Sequence, residues 1–310
     1  MEASPTRVAG LRSREVSAAT FRRLAVAALV ALFVVVTTGA VVRLTASGLG
    51  CENWPRCGDT PFPEREFHAL VEFGNRVVAL LAMAATALAA VAARRVPALP
   101  RWVAASALGA MLTTVAQIPL GGLTVIFDLH PLLVMAHFLL ALVSVAFAAL
   151  AAVGAHVFAR GLDAEAVPRP LRLLAFALVP LALAVVVTGA LVTAAGPHSG
   201  GDDIRRLGNL VDAAYVHVRA TALFGLAFVA LLVALHRLRP PLRVERGLAM
   251  VVVGLLLAQM AVGELQWRNE LPWWLVLLHV VLATGVWTGI VALAAFIRLR
   301  GAPLAAAKAG

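Results

Sequence analysis

Eight apolar runs divide this chain, and each is long enough to cross a lipid bilayer as a helix. They cover residues 24–43, 69–93, 102–123, 132–155, 173–195, 213–235, 248–266 and 273–297; about 20 apolar residues span the hydrocarbon layer. The runs are continuous and rich in Ala and Leu, without the alternation a membrane β-barrel needs, so an all-α integral membrane fold is expected. In 310 residues they leave no room for a large soluble domain. The chain is 62% hydrophobic and 14% charged, with a mean hydropathy of +0.92. Soluble domains are nearer half apolar and a quarter charged, which excludes a soluble enzyme, a disordered chain and a collagen-like one. The first run has no convincing small-residue cleavage site over 37–45, so it reads as a retained helix and not as a signal peptide.

The connections alternate in charge. One set carries Arg7, Arg12, Arg14, Arg22 and Arg23, then Arg94, Arg95 and Arg101, then Arg160, Arg169 and Arg172. It continues with Arg237, Arg239, Arg243 and Arg246, and ends with Arg298, Arg300 and Lys308. Against these stand only Glu2, Glu15, Asp163, Glu165 and Glu245, whereas the opposite side has more acidic than basic residues. The positive-inside rule puts both termini in the cytoplasm of a multi-pass plasma-membrane protein. The net charge of +10 therefore reflects topology and gives no reason to expect nucleic acid. Trp273 and Trp274 at an outer boundary and Trp102 at an inner one hold the usual interfacial places of indole.

The halves of the chain repeat. Gln117, Gly121 and His137 recur as Gln259, Gly263 and His279, all at an offset of 142, and Thr38-Gly39-Ala40 recurs as Thr188-Gly189-Ala190. Four crossings per half give both halves the same orientation. The expectation is two pseudo-symmetric four-helix bundles, 1–160 and 161–310, related by an axis along the membrane normal.

Histidines separate by depth. His156 and His236 lie beside arginines at cytoplasmic ends, and His130 and His198 fall in outer loops, where a solvated role is expected. His137, His217 and His279 each lie a turn or more inside the outer end of an even-numbered helix. Ionisable groups at that depth usually face a bundle interior. A single such histidine would be read as an interhelical hydrogen bond. His217 and His279, on two helices of one bundle, suit two imidazoles clamping an iron from both sides of a flat macrocycle. Moving His217 back by 142 gives Asn75, a hard and weak donor that makes a poor iron ligand. One half should then hold a macrocycle tightly, and the other should hold one loosely or with an open iron position.

Glu72 and Arg76 flank Asn75. Glu72 shares a helix face with Asn75 and is four residues from Arg76, so a neutralising ion pair competes with a proton-handling role for the carboxylate. His68 lies seven residues from Asn75, about 10 Å along the axis, and cannot replace it. Cys51 and Cys57 are the only cysteines and share a short outer loop, so a disulfide stapling that loop is expected, with a redox role as the alternative. Two thiols without nearby paired histidines do not make a zinc site.

The run Thr38-Gly-Ala-Val-Val-Arg-Leu-Thr-Ala-Ser-Gly-Leu-Gly-Cys51-Glu-Asn-Trp-Pro-Arg-Cys57 resembles the first-helix and outer-loop signature of the haem A synthase family, a TGxxVRLTxSGLxC stretch followed by WPxC. Glu72-Phe-Gly-Asn-Arg76, Gly121-Gly-Leu-Thr-Val125 and the three deep histidines fall where that family has its helix-two motif and its histidines. The resemblance implies an eight-helix membrane oxidoreductase that converts haem O to haem A, oxidising a ring methyl to a formyl group through hydroxylated intermediates for cytochrome oxidase. It implies haem b on His217 and His279 in the C-terminal bundle. It also implies substrate haem O beside His137, Asn75 and Arg76 in the N-terminal one, with Glu72 as the catalytic carboxylate and Cys51–Cys57 disulfide-bonded. Many members carry His where this chain has Asn75, and actinobacterial-type members carry Asn. A haem O-producing membrane enzyme and an electron donor outside the chain are the implied partners, besides membrane lipid.

Two other readings compete. A membrane cytochrome b that only transfers electrons would favour two equivalent two-histidine sites, against the Asn75 asymmetry. A transporter would also show repeats and buried charges, but gives no reason for three deep histidines at one level.

Overall fold

The computed structural model describes residues 15–300, except 52–53, 59–61, 64, 162–166, 199, 201–203 and 238–241. Arg7, Arg12, Arg14, Arg239 and Lys308, with Glu2, Asp163 and Glu165, lie outside the described residues. Those described form eight helices and no strand: α1 Ala18–Leu44, α2 Phe67–Ala93, α3 Arg101–Ile126, α4 Pro131–Arg160, α5 Arg169–Ala195, α6 Leu210–Arg237, α7 Arg243–Arg268 and α8 Trp273–Leu299. All eight are long and apolar enough to cross a membrane.

Every expected run lies inside one of these helices, and each helix extends beyond its run at one end or both. A 27-residue helix such as α1 is about 40 Å long, more than the hydrocarbon layer of about 30 Å. Its ends reach the headgroup region, where charged residues no longer interrupt it. Local chemistry fixes the starts. Ser17 accepts the amide of Thr20 at 3.1 Å to cap α1. Pro131 opens α4 in the first turn, where a missing N–H costs nothing. Pro119 and Pro180 sit inside α3 and α5, whose helices continue through them; membrane helices tolerate such breaks where neighbours satisfy the freed carbonyl.

Consecutive helices pack in pairs, α1 on α2, α3 on α4, α5 on α6 and α7 on α8. Helices α1 and α4 also meet, as do α2 and α3, and α5 and α8. The halves touch through α4 and α8, with α1 against α8 and α4 against α5. Helices α4 and α8 are the most buried of the eight. On α4 the small residues Ala148, Ala149, Ala151, Ala152 and Ala155 allow this close approach. At Gly154 an added Cβ would lie 2.6 Å from Val103 on α3. Trp287 on α8 donates its indole N–H to the Leu142 carbonyl of α4 at 2.8 Å. Leu226, Met250 and Leu257 lie on outward faces, exposed as lipid contact requires.

Two of the charges counted in the charge bias form a buried pair. Glu245, in the first turn of α7, receives Arg300 Nε at 2.6 Å and Nη2 at 3.0 Å, and both residues are buried. The pair pins the start of α7 to the end of α8.

Candidate functional site

Helices α6 and α8 bring His217 and His279 together, with ring centroids 6.5 Å apart and planes at 69°. Each ring lies against a glycine of the preceding helix. A Cβ at Gly189 on α5 would lie 3.1 Å from His217 Cε1, and one at Gly263 on α7 would lie 3.2 Å from His279 Cε1. Thr188 Oγ1 is 3.1 Å from His217 Nδ1. Thr188 Oγ1 also reaches the Ala184 and Val185 carbonyls at 2.9 and 3.0 Å. A hydrogen bond to one ring nitrogen orients the imidazole and leaves the other, Nε2, for a metal.

The first half repeats this arrangement on α1 to α4. A Cβ at Gly121 on α3 would lie 3.2 Å from His137 Cε1 on α4, and one at Gly39 on α1 would lie 3.9 Å from Asn75 Oδ1 on α2. Thr38 stands to Asn75 as Thr188 stands to His217, with Oγ1 2.7 Å from Oδ1. Gln117 donates Nε2–H to the His137 carbonyl at 3.2 Å. Asn75 and His137 are not hydrogen-bonded to each other. Four buried atoms repeat across the halves without a partner: Gln117 Oε1 and His137 Nδ1, Gln259 Oε1 and His279 Nδ1.

A bare metal ion finds too few ligands here. Among the described residues no group of three or more His, Cys, Asp or Glu converges, whereas zinc needs three or four protein donors. An iron held by a macrocycle brings four nitrogens and asks for one or two more. Two imidazoles on opposite faces of one iron, with metal–nitrogen bonds of about 2 Å, put their ring centroids about 6 Å apart. The separation of His217 and His279 fits that group.

The loop after α1 lies across the ends of α2 and α3. Cys51 and Cys57 are disulfide-bonded. Buried Glu72 accepts the Cys51 amide at 2.8 Å and Arg76 Nη2 at 2.5 Å. Arg76 Nη1 donates to the Pro55 and Arg56 carbonyls at 3.1 and 3.0 Å. Trp54 rests on Gly122, where a Cβ would lie 2.9 Å from its ring. The Glu72–Arg76 ion pair is therefore present, and it anchors the loop. His68 is engaged by Ser47 Oγ at 2.9 Å.

His198 departs from the solvated role expected of it. Its Nε2–H donates to the Leu271 carbonyl at 2.7 Å, and its own carbonyl accepts from Arg43 Nη1 at 2.7 Å. It ties the end of α1 to the loops after α5 and α7, and sequence position alone gave no sign of that. The parts played by Thr38, Thr188, Gly121 and Gly263 were also hidden. Their recurrence was visible, but only as a repeat; the contacts show that the repeated residues seat the four inward side chains.

Comparison with known proteins bears on this arrangement. Residues 22–291 match the COX15-CtaA family, described as cytochrome oxidase assembly protein. A protein of Symbiobacterium thermophilum named "Heme A synthase" is 30% identical over 281 residues, covering 86% of this chain and 92% of the relative. A namesake from Geobacillus kaustophilus is 36% identical over 110 residues, 34% of this chain and 33% of that one. Another, from Lysinibacillus sphaericus, is 33% identical over 174 residues, 54% and 56% of the two chains. With a match that spans all eight helices in part or whole, this multi-pass membrane chain belongs to the haem A synthase family of cytochrome oxidase assembly proteins.

Proposed function

We propose that the chain oxidises haem O to haem A, turning one ring methyl into a formyl group through hydroxylated intermediates, for use in cytochrome oxidase. In this reading 1–160 and 161–310 are two four-helix bundles with both termini in the cytoplasm. The C-terminal bundle keeps haem b on His217 and His279. Haem b, when bound, supplies one-electron chemistry that no side chain here offers. The N-terminal bundle receives haem O beside His137, with Asn75 and Arg76 on the facing helix. A donor outside the chain provides electrons, and a membrane enzyme that makes haem O provides the substrate.

The observation that carries this reading is the asymmetry of a repeated site. Two histidines lie at a ligating separation in one half, and Asn75 stands where the other half would need the second. A permanent cofactor and an exchangeable substrate of the same chemical kind call for that difference. The chain's own residues then have defined tasks. Glu72 keeps a carboxylate at the outer end of the substrate bundle, tied to the disulfide loop by Cys51 and Arg76. The loop and Trp54 cover that end from the aqueous side. Haem O, large and apolar, enters this bundle from the lipid.

Haem content of ligand variants tests the assignment. His217→Ala and His279→Ala are expected to lose haem b. His137→Ala should keep haem b and lose conversion of haem O. Normal haem b in both of the first two variants would overturn it.

A further inference from the structure

We infer that Asn75 is a hydrogen-bond donor to a small ligand on the open face of the substrate iron, and is not itself an iron ligand. The inference rests on the reading that haem O binds beside His137, and it begins from the two threonines. Thr188 and Thr38 occupy equivalent places, each against the inward residue of the next helix. Thr188 Oγ1 has its shortest contacts, 2.9 and 3.0 Å, to the Ala184 and Val185 carbonyls, with His217 Nδ1 at 3.1 Å.

Thr38 has its shortest contact, 2.7 Å, to Asn75 Oδ1, against 3.2 Å to the Val35 carbonyl. Its hydrogen goes to the amide oxygen. That oxygen, the only atom of an Asn side chain able to bind iron, is turned toward α1 and held there by the Thr38 hydroxyl. What Asn75 has left is Nδ2, whose lone pair is delocalised into the amide and which offers only N–H. A histidine at this place would close the iron; this asparagine leaves the position open and lines it with a donor. The matching ligand is small and presents a hydrogen-bond-accepting atom. Buried donors aimed at such an atom act in a low-dielectric site, where they count for more than in water. Asn75 is half-buried, so it is partly withdrawn from solvent and still able to face a bound molecule.

Carbon monoxide is the probe. It binds a ferrous haem with an open position and does not bind haem b closed by two histidines, so in the full-length protein it reports the first site alone. The protein is purified with its haem b, loaded with haem O, reduced and exposed to carbon monoxide. The wild type should bind one equivalent per haem O. Asn75→Leu should still bind it, with the C–O stretch shifted to higher frequency because the donor is lost. Asn75→His should refuse it and show a six-coordinate, low-spin spectrum. Retained haem b certifies the fold of each variant.

A wild type that refuses carbon monoxide until Asn75 is replaced would make Asn75 a ligand and overturn the inference. So would a C–O stretch that does not move in Asn75→Leu. Failure of haem O to load at all, or loading unaltered by His137→Ala, would instead defeat the underlying reading and the inference with it. The two failures are therefore distinguishable.

Discussion

A Cβ at Gly189 would lie 3.1 Å from His217 Cε1, closer than a ring and a methyl group normally approach, so alanine there must displace the imidazole by a few tenths of an ångström. Gly225, further along α6, has no atom within 4 Å of its Cβ position and serves as the control. Gly189→Ala should lower retained haem b and perturb its absorption bands. Gly225→Ala should leave both unchanged and gain up to about 1 kcal/mol of helix propensity. Thr188→Val keeps the shape and removes the hydrogen-bond partner of His217 Nδ1. Losing such an outer partner typically weakens metal binding about 10–100-fold, so haem b should be retained at reduced occupancy and titrate out more easily. Unaltered haem affinity in both Gly189→Ala and Thr188→Val would mean that α5 does not seat the ligand. These residues were legible in the sequence only as a repeat. A Thr-Gly pair becomes a seat for histidine once two helices cross at it, and the crossing is a property of packing that spacing along one helix does not contain.

Between elements, two ion pairs do different work. Glu245 and Arg300 are both buried and doubly hydrogen-bonded. Removing one partner leaves a buried charge uncompensated, at a cost of about 3–5 kcal/mol. Arg300→Met should therefore lower the unfolding temperature in detergent, and the double variant Glu245→Leu with Arg300→Met should recover most of the loss. Equal stability of Arg300→Met and the parent would show that the pair is solvated. Glu72 and Arg76, in contrast, join α2 to the loop after α1. Glu72→Gln retains a hydrogen-bond acceptor for the Cys51 amide and removes the charge. It is expected to keep haem b and to lose haem A production; wild-type yield would reduce Glu72 to a loop anchor. The four-residue spacing of Glu72 and Arg76 was readable in advance. The Cys51 amide was not, because it comes from another element, brought back over α2 by the turn at 45–50. The helices themselves were almost wholly legible, since a bilayer leaves a helix as the only way to satisfy the backbone of a continuous apolar run. Only their ends moved, outward into the headgroup region.

For the whole molecule, the repeat is the organising fact. Four pairs of helices each present one inward side chain over one glycine: Asn75 over Gly39, His137 over Gly121, His217 over Gly189 and His279 over Gly263. Three of the four are histidine, and the exception falls in the half proposed to receive the substrate. Length, hydropathy and the 142-residue offset made the eight spans and the asymmetry readable from the chain. The links between halves were not readable, because Trp287 to Leu142 and Arg43 to His198 join residues far apart in sequence with no periodic mark. In the proposed function one site keeps its haem and the other turns it over. Chromatography of pigments extracted from the purified protein, expressed with and without a supply of haem O, tests this most directly. Haem b alone is expected without haem O, and haem b together with haem A and a hydroxylated intermediate when haem O is supplied. Haem b accompanied by unchanged haem O, or a folded protein with no haem at all, would contradict it.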